Sequence, residues 1–267
     1  MFEISDVKLK RDQNLILNIP SLCFKRDVIN CIIGANGAGK STLFKVLLGQ
    51  AIPQQGQVKF DGKSLSSMPL TQLSRKRAYV AQAQRPVFDI DVLDYLLLAR
   101  HMRSESKQDS MTWLIAIVEQ HQLEHLLDRN IQRLSGGEYQ RVEFARACIQ
   151  LIDVTGYKDK ILLLDEPASA LDIKQTKQLY TQIEAFKEAG GTALIIEHNI
   201  NYAANFSQQL LVIKSGEIGA YGPTEKIFTT RILNTCFETD GQVIALPGAH
   251  QASDSNSKLN YQYLLNP

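Results

Sequence analysis

The chain has 267 residues, with 29 Lys and Arg against 28 Asp and Glu, a formal net charge of +1. So even a balance excludes a protein that holds nucleic acid or an anionic lipid surface by charge alone, since either needs a basic excess. An apolar share of 44% at nearly zero net charge excludes disorder for most of the chain, and the length suits one large domain or two small ones.

The opening residues Met1, Phe2, Glu3, Ile4, Ser5 and Asp6 carry early acids and no apolar h-region, so no signal peptide is expected. Residues 28–33 form a near-continuous apolar run stopping at Gly34, the pattern of a strand buried on both faces. Residues 42–48 have helical character and end at Gly49. A short strand over 79–81 precedes Gln82. From about 85 to 151 strand signals are scarce, and helical periodicity runs over 92–100, 111–120 and 142–151. A helical block therefore interrupts the core.

Residues 161–164 read as a second buried strand, closed by acids and Pro167. Residues 192–196 read as a third, entered from Gly190-Gly191 and followed by Glu197 and His198. Residues 210–213, the turn Lys214-Ser215-Gly216-Glu217 and the run from Ile218 form a hairpin pattern. Past Gly222 the character changes, and 251–258 is polar and Ser/Asn-rich, a loop or frayed tail. Cys23, Cys31, Cys148 and Cys236 are scattered without C-x-x-C spacing and are expected to be buried, reduced thiols. No run approaches the ~18 apolar residues of a membrane span. Strands alternating with helices predict an α/β fold with a largely parallel sheet.

Three segments carry chemistry. Gly34-Ala35-Asn36-Gly37-Ala38-Gly39-Lys40-Ser41, followed by Thr42, matches G-x-x-x-x-G-K-[ST] between a strand and a helix. Glycines let backbone N–H groups turn inward around phosphate oxygens, and the helix start adds its positive dipole end. Lys40 would reach the β- and γ-phosphates of a nucleotide, and the Ser41 hydroxyl would ligate Mg2+. The strand at 161–164 runs into Asp165-Glu166-Pro167. A buried strand ending in Asp165 can hold a carboxylate beside the metal, and Glu166 is suited to orient or deprotonate water. Lastly, Leu134-Ser135-Gly136-Gly137-Glu138-Tyr139-Gln140-Arg141 reads locally as a capping box, with Ser135 at the N-cap and Glu138 at N3.

Taken in order, the phosphate loop, Gln82, the 134–141 segment, Asp165-Glu166, Ser169-Ala170-Leu171-Asp172 and His198 resemble the nucleotide-binding domain of ABC-type ATPases over about residues 1–225. The resemblance implies a P-loop NTPase core, α/β, at 1–84 and 152–225. Into it are set a helical subdomain at 85–151 and a small N-terminal antiparallel β part. Residues 226–267 would form a C-terminal extension, partly flexible. It further implies Mg2+-dependent ATP hydrolysis by a head-to-tail dimer, each ATP lying between one copy's phosphate loop and the other's signature. On that reading Ser135, Gly136 and Gly137 bind the γ-phosphate held by a second copy. Gln82 touches the metal or the water and signals to a partner, Asp172 shapes the dimer interface, and His198 contacts the γ-phosphate.

This sequence departs from the family pattern in places. Glu197 and Asn199 flank His198 where Thr or Ser and then Asp are common, and Ala168 stands for the usual Thr. Lys8, Leu9, Lys10 and Arg11 occupy the stretch where the family places a ring on adenine. Poor discrimination between ATP and GTP is therefore expected, unless Phe24 or a second copy's Tyr139 supplies the ring. One such domain without a membrane segment implies two separate integral-membrane permease subunits and a periplasmic substrate-binding protein. It would place the chain at the cytoplasmic face of the inner membrane, with no nucleic acid. Residues 77–82, Pro86-Val87-Phe88 and the insertion at 151–160 resemble ATPases of metal-chelate importers, which handle vitamin B12, haem or ferric siderophores. The alternative is a soluble ABC ATPase of repair, Fe–S assembly or translation, of which translation types are expected to carry two such domains and repair types a long coiled-coil insertion.

Overall fold

Alternation opens the chain. In β1 (Phe2–Arg11) the side chains of Phe2, Ile4, Val7 and Leu9 are buried. The step from Ile4 to Val7 breaks the two-residue period because Asp6 takes a left-handed φ of 49° and the register shifts there. Such a bulge re-aims the strand so that both residues face inward. Asp12 and Gln13, both at positive φ, then reverse the chain into β2 (Asn14–Cys23), antiparallel to β1, as a two-residue hairpin turn demands. The computed structural model describes residues 1–82, 85–246 and 260–265. It divides into two compact units, Met1–Ser67 with Ile195–Pro267, and Met68–Leu194.

In the first unit, β3 (Ile29–Ile33) is buried at every residue and leads into α1 (Lys40–Leu47). β4 (Gln55–Phe60) pairs antiparallel with β1, and β5 (Lys63–Ser64) follows it, giving the order β2-β1-β4-β5. This is the N-terminal antiparallel part.

The second unit begins with α2 (Leu70–Ser74) and β6 (Arg77–Val80), then α3 (Val92–Leu97), which tightens into a 3-10 turn over Leu98–Arg100. α4 (Lys107–Gln120), capped by Ser106, begins four residues before the predicted start. α5 (Gly136–Leu151) packs against α3, α4 and β6. Its last carbonyls are capped by two arginines: Arg100 donates to Ile149 and Ile152 at 2.7 Å each, and Arg103 to Gln150 and Leu151. Cations at a helix C-terminus satisfy orphan carbonyls and oppose the dipole. β7 (Ile161–Asp165), buried throughout, runs parallel to β6. α6 (Ile173–Glu188) leads to β8 (Thr192–Ile196), whose last two residues belong to the first unit.

Back in the first unit, α7 (Ile200–Phe206) precedes β9 (Gln209–Lys214), which lies parallel to β3 and antiparallel to β10 (Glu217–Pro223). The predicted late hairpin is that antiparallel pair. After α8 (Thr224–Ile227) and α9 (Thr230–Phe237), β11 (Gly241–Leu246) pairs antiparallel with β12 (Asn260–Leu265). Sequence reading did not find this ribbon. Asparagines on α7 hold it: Asn201 accepts from the Tyr263 N–H at 2.7 Å and Asn205 from the Tyr261 N–H at 2.9 Å. The loop or tail expected at 251–258 lies outside the described residues. One expectation is corrected: Cys23 is exposed, because it ends β2 on the outward side, while Cys31, Cys148 and Cys236 are buried.

Candidate nucleotide site

β3 delivers the chain into the glycine-rich loop. A side chain at Gly34 could not be accommodated, since a Cβ there would lie 2.2 Å from the Ile213 carbonyl oxygen. Gly39, at φ 104°, is the N-cap of α1 and supplies no side-chain cap. A helix start without a side-chain cap has N–H groups to offer an anion. Lys40 opens α1 and is only 5% exposed. Its Nζ turns back into the loop and donates to the carbonyls of Gly34 at 2.8 Å and Ala35 at 3.0 Å. Ser41 is exposed and Thr42 half-buried on the same first turn.

His198 follows β8 in the first unit and is exposed. The unusual neighbours build its turn. The Glu197 N–H donates to the Ile32 carbonyl on β3 at 3.1 Å, and the Glu197 carboxylate accepts from the Asn199 N–H at 2.8 Å. The Asn199 side chain caps α7 by accepting from the N–H groups of Asn201 and Tyr202. Asn serves a helix N-cap as well as Asp does.

In the second unit, β7 ends at Asp165, which is 7% exposed. Tyr79 on the neighbouring β6 donates its hydroxyl to Asp165 Oδ2 at 3.2 Å. Burial first, and the Asp165 charge second, push the Tyr79 phenol up, so it remains a donor. Glu166 has φ 50°, a left-handed conformation that costs a residue with a Cβ about 1–3 kcal/mol. Gln82 donates Nε2 to Glu166 Oε2 at 2.8 Å. Gln82 and Glu166, 84 positions apart, are thus in direct contact.

The 134–141 segment caps α5 as its sequence predicts. The Ser135 side chain accepts from the Glu138 N–H, and Glu138 Oε2 accepts from the Ser135 N–H at 2.7 Å. The bond from the Ser135 backbone, reinforced by Arg129 at 2.8 Å, holds the Glu138 carboxyl down to about 2. Asp172 caps α6 in a second box with Gln175, accepting the Gln175 N–H at 2.7 Å. The Gln175 amide packs onto Gly137, where a Cβ would lie 2.5 Å from it and would push that amide aside. The structure therefore brings Asp172 and the 135–137 segment together through Gln175. That residue escaped sequence reading, although D-x-x-Q before a helix is itself a capping-box signal.

A family model described as "ABC transporter" matches residues 17–169. The Vitamin B12 import ATP-binding protein BtuD of Vibrio atlanticus (strain LGP32) is 34% identical over 223 residues, covering 83% of this chain and 88% of that protein. This chain belongs to the ABC transporter ATP-binding family. The Hemin import ATP-binding protein HmuV of Hahella chejuensis (strain KCTC 2396) is 35% identical over 215 residues, covering 80% of this chain and 84% of that one. Among solved structures, a chain from an inward-facing transporter described as metal-chelate type aligns with a TM-score of 0.80 at 21% identity. The alignment covers 100% of this chain and 97% of that one. The fold is thus the α/β fold of ABC ATPases with its N-terminal antiparallel part. As a subunit of this family the protein hydrolyses ATP to drive transport. No helix among the described residues is long and apolar enough to cross a membrane.

For this ABC subunit, two expected sources of a ring for the base are closed. Phe24 is 2% exposed and packs edge-on to Tyr221, and Tyr139 is 3% exposed beneath the Arg85 guanidinium. Arg11 at the end of β1 is exposed.

Proposed function

We propose that the protein energises import of a metal-chelate nutrient of the vitamin B12, haem or ferric-siderophore class. The observation that carries this is similarity at about a third identity to both a B12 and a hemin import ATP-binding protein, over four-fifths of each chain. Two copies would act head to tail with two integral-membrane permease subunits and a periplasmic binding protein, at the cytoplasmic face of the inner membrane. The helical block over 85–151 would dock on the permeases. Val87, fully exposed, and Phe88, half exposed, support that use, since apolar side chains bared in succession suit a partner surface.

Each candidate residue has a role its chemistry supports. Backbone N–H groups over 34–42 would bind the phosphates, with Lys40 Nζ exchanging two carbonyl acceptors for β- and γ-phosphate oxygens. Glu166 would take the proton of the attacking water, and Gln82, already on its carboxylate, would orient that water. Ser135, Gly136 and Gly137 would bind the γ-phosphate of a second copy's ATP, Asp172 would shape that interface, and His198 would contact a γ-phosphate oxygen.

Mg2+ fits the donors present. Ser41, Asp165 and Gln82 offer hard oxygen atoms, and the Tyr79 hydroxyl fixes the Asp165 carboxylate. Among the described residues no group of three or more His, Cys, Asp or Glu could hold a metal. When bound, Mg2+ would neutralise charge on the β- and γ-oxygens.

Deleting the gene and measuring uptake of labelled cyanocobalamin, haemin and a ferric siderophore tests the proposal. Loss of one uptake, restored by the wild-type chain, is the expected result. Unchanged uptake of all three would overturn it.

A further inference from the structure

The segment after Gln82 is laced to the segment that ends at Ser135. The Val92 N–H donates to the Arg129 carbonyl at 3.0 Å, Leu93 to Leu127 at 3.1 Å, and Ile131 back to Ile90 at 3.0 Å. The Gln132 amide donates to the Pro86 carbonyl. Arg85 closes this zipper. Its Nη1 donates to the Gln132 carbonyl at 2.7 Å, its Nη2 to the Leu134 carbonyl at 2.6 Å, and its guanidinium lies 5.3 Å from the Tyr139 ring centroid. Leu134 immediately precedes Ser135, and Tyr139 follows it in the first turns of α5. One side chain, three positions beyond Gln82, thus grips the signature on both sides of its serine.

We infer that Arg85 is a positioning residue for the signature, fixing where Ser135 and the first N–H groups of α5 point. This rests on the proposal that the signature serves a second copy's ATP. The physical requirement is a fork. Two carbonyls set apart along the chain and a ring face are met at once by a planar guanidinium, whereas a lysine ammonium is a single compact donor. No bond is made or broken in this; the role is purely geometric.

The test is a double-mutant cycle on the full chain with Mg-ATP, comparing Arg85→Met, Arg85→Lys, Ser135→Ala and the doubles. Arg85→Met should lower kcat at least tenfold while monomer affinity for ATP stays within twofold. Arg85→Lys should recover less than a third of the lost kcat. The double with Ser135→Ala should be no more than twofold slower than Ser135→Ala alone, since a residue acting through the serine adds nothing once the serine is gone. If Arg85→Met loses its cooperative thermal transition, the cycle is read with Arg85→Lys. Wild-type kcat in Arg85→Met, multiplied losses in the double, or full rescue by lysine would overturn the inference. Wild-type kcat in Ser135→Ala would instead bring down the reading beneath it.

Discussion

Replacing Glu166 with Gln keeps the side-chain shape and an oxygen for the Gln82 amide, but removes the base. We expect Glu166→Gln to lower kcat about 100-fold or more with ATP affinity within twofold, read by phosphate release and nucleotide titration. Near-normal turnover would remove Glu166 from the chemistry. Base recognition is a second matter at this scale. Stacking on a ring contributes roughly 1–3 kcal/mol per base, and neither residues 8–11 nor the buried Phe24 and Tyr139 offer an open ring. Affinities for ATP and GTP should therefore differ by less than ~100-fold, about 2.7 kcal/mol. A larger ratio in titration of the isolated chain would reveal a base-reading contact elsewhere. The phosphate loop, the acid pair and the Ser135 cap were legible because each is a local spacing whose geometry is dictated by the backbone. The Gln82–Glu166 contact, the Arg85 fork and the packing of Gln175 on Gly137 were not. All three join residues distant in sequence, and nothing in local periodicity records which strand ends become neighbours.

At the scale of elements, α5 is held at both ends by side chains from outside it. Arg100, 3% exposed, also pairs with Glu105, donating Nε at 2.6 Å. Arg100→Met would leave Glu105 with only the Ser110 hydroxyl and take the donor from the Ile149 and Ile152 carbonyls at the end of α5. It should cost about 3 kcal/mol in urea unfolding; a loss below about 1 kcal/mol would mean that water replaces the guanidinium. At the end of α4, His121 is buried edge-on against Phe144, and burial pushes it down to about 4. Its ordinary value, near 6.5, applies in the unfolded chain. The unfolded state therefore takes up a proton below pH ~6.5 that the native state refuses until about pH 4. Stability is full above that window and declines through it, by up to roughly 3 kcal/mol. A His121→Met variant, compared with the parent at pH 7.5 and 5, should lose less on acidification. Equal losses would place the sensitivity in other groups. The strands at 28–33, 161–164 and 192–196 were read to within a residue because burial on both faces writes them as apolar runs. The β11–β12 ribbon was not, since β12 buries only Tyr263 and so carries no continuous apolar run, and its anchors are asparagines on α7.

The whole molecule works, on the proposed reading, as two copies around two nucleotides. Ser135→Arg should then abolish hydrolysis in the dimer while monomer affinity for ATP stays within twofold, and equal loss of monomer affinity would show the signature acting in its own copy. Acidic substitutions at Val87 and Phe88 should abolish uptake in cells but leave the isolated chain's ATPase within twofold; undiminished uptake would place the docking surface elsewhere. One backbone angle also bears on how such a protein drifts over generations. Glu166 holds a left-handed φ that glycine would adopt freely. Glu166→Gly should therefore melt a few degrees higher than the parent while losing transport, because the relieved strain, about 1 kcal/mol, exceeds what the exposed Gln82 contact contributes. The carboxylate is thus kept against the folding gradient, so a lineage released from the need for its cargo would lose activity first and the fold last.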